Sequence, residues 1–194
     1  MVSQPPFLHR NTKENGTIRT LLSRRSIRSY TDQIVPRELL DQIVECGKFA
    51  ATAMGRQPWH FTVVTSRAAL DEIVSKNREI LLADGREVEP DFDNFRGAPC
   101  AILVSGDESN EMFADIDCAN ATENMALAAC SLGLGSCYIA SFRPAFNQDA
   151  DRSLHRRFGI PDGYRATLAL AVGYASGEPS PRAERLSGTV NYVD

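Results

Sequence analysis

ATAMGRQPWHFTVV, residues 51–64, is where a helical pattern gives way to a strand. Ala51, Thr52 and Ala53 close an apolar-periodic segment and Gly55 breaks it. Pro58 fixes its own φ and disfavours helical backbone at the residue before it, so Gln57 is expected to be extended. His60 to Thr65 then reads as a short β-rich run. The small side chains ahead of the junction would let a flat group approach the backbone, whereas Trp59 reads mainly as a core anchor.

Working outward, Pro36 to Ala51 carries Leu39, Leu40, Ile43, Val44 and Gly47 on one helical face, with Pro36 suited to the first turn. Ile18 to Ser23 is a shorter helical pattern, and Arg24, Arg25, Ser26 and Arg28 follow it. Guanidinium forks fit phosphate oxygens two at a time, although three arginines in five residues equally suit a solvated face. Downstream, Ala68 to Ala83 returns to helical spacing. Asp84 to Pro99, with Gly85, Pro90, Gly97 and Pro99, is a long loop and a candidate lid. CAILVS, residues 100–105, and TLALAVGY, residues 167–174, read as strands covered on both faces. Asp115 to Leu132 is the strongest helix, with Asp115 or Asp117 as its cap and Gly133 as its stop. Its five alanines suit close packing against another helix, in the same chain or in a twin. Phe146 to Phe158 is expected as one helix, and residues 175–194 as a tail ending in an apolar-alternating VNYV. Interleaved helices and strands without a repeat or linker predict a single α+β or α/β domain over 18–194, after a polar arm at 1–17.

Composition removes several classes. A chain of 194 residues with 43% hydrophobic content can bury one sizeable core. A net charge of −4 argues against a general nucleic-acid partner, which needs a basic face to release counterions. No apolar run approaches the ~20 residues that span a bilayer, so no membrane partner is expected. The arm has Pro5 and Pro6 together and lacks the apolar stretch of a signal peptide. Cys46, Cys100, Cys118, Cys130 and Cys137 form no CxxC pair and read as small buried hydrophobes in a reducing, cytoplasmic compartment. His9, His60 and His155 share no ligand spacing, so no metal site is expected. The GLGS at 133–136 follows a helix rather than a strand, which excludes a dinucleotide fingerprint.

Five motifs in order carry more than any one alone: RRSIR at 24–28, QPWHF at 57–61, ENMALAACSLGLGSCYI at 123–139, AVGYASGEP at 171–179 and PRAER at 181–185. In this order the chain resembles the FMN-dependent nitroreductase family, as a short, single-domain member. The resemblance implies an α+β fold with a central, mostly antiparallel or mixed sheet flanked by helices, in an intertwined homodimer binding FMN at its interface. It places the FMN phosphate and ribityl chain on Arg24, Arg25, Ser26 and Arg28, with Arg185 and perhaps Arg182 closing from the tail. It brings Thr52, Ala53 and Gln57 to the flavin, the first two from the other subunit, and sets the Ala140 and Ser141 backbone beside its reactive edge. Gly55 stands where the family often has Asn, so a side-chain amide contact to the ring is missing.

The resemblance further implies that NADH or NADPH delivers hydride to the ring and leaves before a small-molecule acceptor, a nitroaromatic or quinone, takes its place. That is a ping-pong cycle in which the flavin does the chemistry and no side chain is assigned as catalytic. Arg28 is the candidate cation stabilising the reduced ring. The alternatives are another flavin reaction on the same fold (dehalogenation, ene reduction, flavin reduction or breakdown) or a non-enzymatic flavin-binding module.

Overall fold

The structure, a computed structural model, describes residues 15–110 and 112–194. Its elements are α1 (Gly16–Ser23), α2 (Arg37–Lys48), β1 (Trp59–Val64), α3 (Arg67–Ala83), β2 (Cys100–Asp107), α4 (Ala114–Ser131), β3 (Gly135–Ile139), α5 (Arg143–Asn147), α6 (Ser153–Arg157) and β4 (Tyr164–Gly173). The four strands form one sheet in the order β1-β2-β4-β3, each pair antiparallel. One parallel bridge, Ser26 to Ser136, is added at the outer edge of β3. The α+β expectation with a mostly antiparallel sheet therefore holds. Among the described residues no helix is long and apolar enough to cross a membrane.

The sheet is covered on both faces, which is why β2 and β4 read as continuous apolar runs. Along β2, Ala101 and Leu103 enter one core, with Leu70, Ile73, Phe95, Phe142 and Phe146. Cys100, Ile102 and Val104 enter the other, with Leu40, Ile43, Met125 and Ala129. α2 and α4 cover this second face. Their contact is close because Gly47 has no side chain: a Cβ there would lie 2.8 Å from Met125 Cγ. The alanines of α4 thus serve packing within this chain. Trp59 packs at the margin of the same core, its ring stacked on Phe61 at 5.9 Å.

Several expectations need correction. β3, which no periodicity announced, is a strand of five residues completing the sheet edge. The helix expected over 146–158 is two short helices, because Arg152 takes a left-handed φ of 54° between them. Asp149 restarts the second piece by accepting from Leu154 N at 2.8 Å. Neither Asp115 nor Asp117 caps α4; Phe113 stands at that position without a side-chain cap. The arm at 1–17 falls mostly outside the described residues. Asn15 caps α1 through Ile18 N (2.9 Å), and Gly16 and Thr17 already belong to that helix. All five cysteines are free, with Cys100, Cys118 and Cys137 buried. Burial pushes the Cys100 thiol up to about 12 and the Cys118 thiol to about 11, so neither is a nucleophile at neutral pH.

Residues 26–31 cross the end of the sheet where β3 begins and β4 finishes, and two glycines make room. A Cβ on Gly135 would come within 2.8–2.9 Å of Ile27 side-chain atoms, and one on Gly173 within 2.7 Å of Pro99 and 2.8 Å of Tyr30. Gly135→Ala is expected to cost about 1–3 kcal/mol by overpacking. In a double-mutant cycle followed by urea denaturation, Ile27→Ala is then less harmful in that background than in the wild type; strictly additive costs would show that Ile27 does not set the limit.

His155 is buried and packs edge-on against Phe146 at 5.5 Å, and neither ring nitrogen has a hydrogen-bond partner among the described residues. Burial first, and then the Arg152 charge, lower its pKa. The unfolded chain therefore binds the proton first as pH falls. The stability from the neutral ring is intact above the usual value near ~6.5 and is lost below it. The urea midpoint is expected to drop between pH 7.5 and 5.5, and His155→Phe to shrink that drop, as read by circular dichroism.

Candidate functional site

α1 ends at Arg24, and the chain leaves it extended along the outer edge of the sheet. Ile27 N donates to Ser136 O (2.8 Å), Thr31 N to Tyr174 O (2.9 Å) and Ser176 N to Ser29 O (3.0 Å), while Tyr30 Oη reaches back to Ile27 O at 2.6 Å. These bonds fix the backbone that carries the basic cluster. Between this segment and residues 175–181 lies a cavity of about 370 Å³, whose lining includes Arg25, Ser26 and Arg28. Arg25 donates from Nη2 to Ser180 O, which ties segment to tail. Its Nε is buried with no hydrogen-bond partner among the described residues. A buried charged donor left so costs free energy that an anion in the cavity would recover.

The other arginines have different placements. Arg24 turns toward α4, where its Nε lies 3.1 Å from Glu123 Oε1, and Glu123 also accepts from Tyr138 Oη at 2.9 Å. Arg24 does not line the cavity. Arg182 donates from Nη1 to Leu22 O (2.7 Å) and from Nη2 to Arg24 O (3.0 Å) and Ser23 O. It thereby satisfies carbonyls at the C-terminal end of α1, where the helix dipole favours a cation. Burial, then the positive charges of Arg25, Arg185 and Arg24, lower its pKa. The Arg185 side chain is thus near enough to be felt by Arg182, though it is exposed. The result is a locally cationic cradle in a chain of net charge −4.

The junction at 51–57 forms a second surface. Ala53 N donates to both carboxylate oxygens of Asp117 at 3.2 Å, Asn120 Nδ2 donates to Ala51 O at 3.3 Å, and Gln57 N donates to Thr52 Oγ1 at 3.4 Å. Met54, Gly55 and Gln57 have φ of 55°, 65° and 50°. Gln57 is therefore left-handed, not extended as Pro58 suggested. The turn held by Asp117 overrides the local preference, and such backbone costs on the order of 1–3 kcal/mol at a non-glycine residue. At Gly55 the positive φ costs glycine least, and it is one that Asn also tolerates. Asp117, buried at the start of α4, is the residue that reading it as a cap missed. Within one chain this segment does not line the cradle: Gln57 opens instead on a separate cavity of about 390 Å³ beside Trp59, His60 and Phe61.

The end of β3 forms a third. Ser141 accepts from Asn77 Nδ2 at its carbonyl and from Asn94 Nδ2 at its Oγ, both at 2.9 Å, and both asparagines are buried. No sequence pattern announced these two. Ala140 and Ser141 line a cavity of about 530 Å³ together with Arg86, Phe92 and Arg143. Its outer wall is the expected lid, and it is fastened. Asp93 accepts from Phe95 N and Gly97 N at 2.8 Å and pairs with Arg67 at 3.0 Å, and Arg78 donates to Glu89 O at 2.7 Å. Phe95 is fully buried.

The chain as a whole is similar to known proteins. The model of the nitroreductase family matches residues 21–174, and the chain belongs to that family. It is 33% identical over 168 residues to a putative NADH dehydrogenase/NAD(P)H nitroreductase of Methanothermobacter thermautotrophicus, covering 85% of this chain and 80% of that one. It is 31% identical over 176 residues to an FMN reductase (NADPH) of Bacillus subtilis, covering 82% and 66%. A Bacteroides fragilis nitroreductase crystallised with bound FMN superposes with a TM-score of 0.86 at 28% identity, covering 93% of this chain and all of that one.

Asp117→Asn keeps the side-chain volume but weakens the acceptor for Ala53 N. A loss of about 1–3 kcal/mol in thermal or urea denaturation is expected; an unchanged midpoint would mean that the turn holds itself.

Proposed function

We propose that this chain is an FMN-dependent oxidoreductase that takes electrons from NADH or NADPH and passes them to a nitroaromatic, quinone or related small-molecule acceptor. The observation that carries the reading is the cationic cavity at the sheet edge, lined by Arg25, Ser26 and Arg28, with the Arg25 Nε buried and without a partner among the described residues. It has the donors that a phosphate monoester needs. The Bacteroides fragilis nitroreductase, crystallised with bound FMN, supports FMN as that ligand.

In this reading Arg25, Ser26 and Arg28 hold the phosphate and ribityl end. Arg24 and Arg182 order the segment that presents them, and Arg185 closes from the tail. Arg28 provides a fixed positive charge toward the ring, and the Ala140–Ser141 backbone, held by Asn77 and Asn94, lies along the ring's edge. Bound there, FMN supplies the redox chemistry, with the nicotinamide and the acceptor using the site in turn. No side chain needs to transfer a proton; the protein positions, charges and shields.

A second copy of the chain completes the site. Thr52, Ala53, Gly55 and Gln57 do not share the cradle within one chain, so a partner supplies them. The apolar surface supports this. A groove of about 990 Å³ lies between α1, the end of α2 and α4, lined by Leu21, Phe49 and Leu127 among others. Phe49 is 79% exposed, and Ile116 of α4 and Leu186, Val190, Tyr192 and Val193 of the tail are exposed too. Exposed apolar side chains around such a groove suit an interface. The five free cysteines suit a reducing compartment, the cytoplasm.

Purified protein is expected to be yellow, to elute as a dimer and to lose colour on treatment with NADH under anaerobic conditions. Arg25→Ala and Ser26→Ala together should weaken FMN by about 10- to 100-fold or more, since a hydrogen bond to a charged group contributes ~1.5–3 kcal/mol. A colourless protein that takes up no added FMN would overturn the assignment.

A further inference from the structure

The cavity beside Ala140 and Ser141 has a lining that the cofactor reading leaves unused. Arg86 stands on the loop after α3, and Arg143 opens α5; both are exposed at the cavity wall. Neither has an ion-pair partner among the described residues. Arg143 Nε donates to Ala140 O at 3.2 Å, which orients the guanidinium and leaves both terminal nitrogens without a partner among those residues. No acidic residue lines the cavity, although Asp84, Glu87, Glu89 and Asp91 crowd the same loop. In a loop so acidic, the one residue it places at this wall that carries a charge is a cation, and Arg143 lines the same cavity. Phe92, Leu81 and Pro144 supply the apolar part of the same lining. At about 530 Å³ the space is of the size that takes a small organic ligand. The wall is fixed, because Asp93 and the Arg78–Glu89 bond fasten the loop, so the lining is formed before a ligand arrives.

We propose that this cavity selects a carboxylate-bearing aromatic molecule as the acceptor. Arg86 and Arg143 hold the carboxylate, and Phe92, Leu81 and Pro144 hold the ring against the Ala140–Ser141 edge. The assignment deepens the function proposed above, since Ala140 and Ser141 are where that reading puts the reactive edge of the flavin. Its binding component stands on the lining alone. The arginine fork supplies two parallel donors to a carboxylate, while an uncharged aromatic of the same shape would gain only the apolar contacts.

Benzoate and benzamide, equal in shape and different in charge, are the probes. Calorimetry on the FMN-loaded protein is expected to give at least about 10-fold tighter binding of benzoate, and benzoate to compete with menadione in NADH oxidation. Acetate should bind far more weakly than benzoate, because it lacks the ring. Arg86→Gln and Arg143→Gln should each reduce the preference for benzoate over benzamide, and the double variant abolish it, with FMN content and thermal midpoint as in the wild type. Equal affinities for the two probes in the wild type would overturn the proposal without any variant. A loss of FMN from either variant would overturn it as well, by assigning that arginine to the cofactor. A protein that took up no FMN and still preferred benzoate through these arginines would sustain this inference while defeating the proposed redox function.

Discussion

Residues 26–31 lie flat across one end of a sheet that would otherwise stop there, and the cationic cradle depends on that placement. Backbone bonds to Ser136, Tyr174 and Ser176 hold the segment, and the bare α-carbons of Gly135 and Gly173 let Ile27, Tyr30 and Pro99 come close enough for those bonds to form. The effect on chemistry is indirect but large. A free arginine loses ~2 kcal/mol of rotamer entropy when it grips an anion. Arg25 is already tied to the tail through Ser180, so part of that loss has been met during folding. Gly135 and Gly173 act from behind, as space for the segment that bears the binding groups.

Clustered positive charge opposes folding, and the structure offsets it unevenly. Arg24 is neutralised by Glu123, itself fixed by Tyr138, and Arg182 is spread over three carbonyls at the end of α1. Arg25 is left with a buried donor unmatched among the described residues. Buried polar groups in folded proteins are overwhelmingly paired, so an exception on an arginine that lines a cationic cavity is one that an anionic ligand would answer. The ENM motif acquires a reason from the same arrangement: its glutamate disciplines the first arginine, so that the second and the serine face the opening.

Much of this was legible along the chain. The apolar runs of β2 and β4, the periodic face of α2 and the small-residue α4 appear at nearly their observed bounds, because each is decided by local pattern and two-sided burial. The failures are those where a distant group decides. GSCYI is too short and too plain to announce a strand, and it is one because β4 lies alongside. Arg152 looks helical until its left-handed φ splits α5 from α6 and its Nη2 bonds Tyr164 O at 2.7 Å. Asp117 sits where a cap belongs but reaches 64 residues back to Ala53. Asn77 and Asn94 carry no pattern at all. Their role exists only because Ser141 arrives between them. The order of five motifs pointed to the family; which arginine faces the cavity was decided by Glu123 and by the tail.

The turn at 53–57 ties these observations to the proposed dimer. Met54 and Gln57 hold backbone conformations that are costly for their residue types, and Met54 is 74% exposed, so burial of that side chain within this chain does not repay the cost. Asp117 and Asn120 of α4 hold the turn open instead. A strained, outward-facing turn anchored by a buried carboxylate is hard to account for in a lone subunit and natural in one that inserts into a neighbour's site. On that reading α4 has two tasks on one helix: its buried alanines seat it on the sheet, and Asp117 and Asn120 aim a turn into the partner. FMN and the second subunit would then bind to the same surfaces and each would favour the other, so flavin affinity and dimer affinity are coupled by necessity.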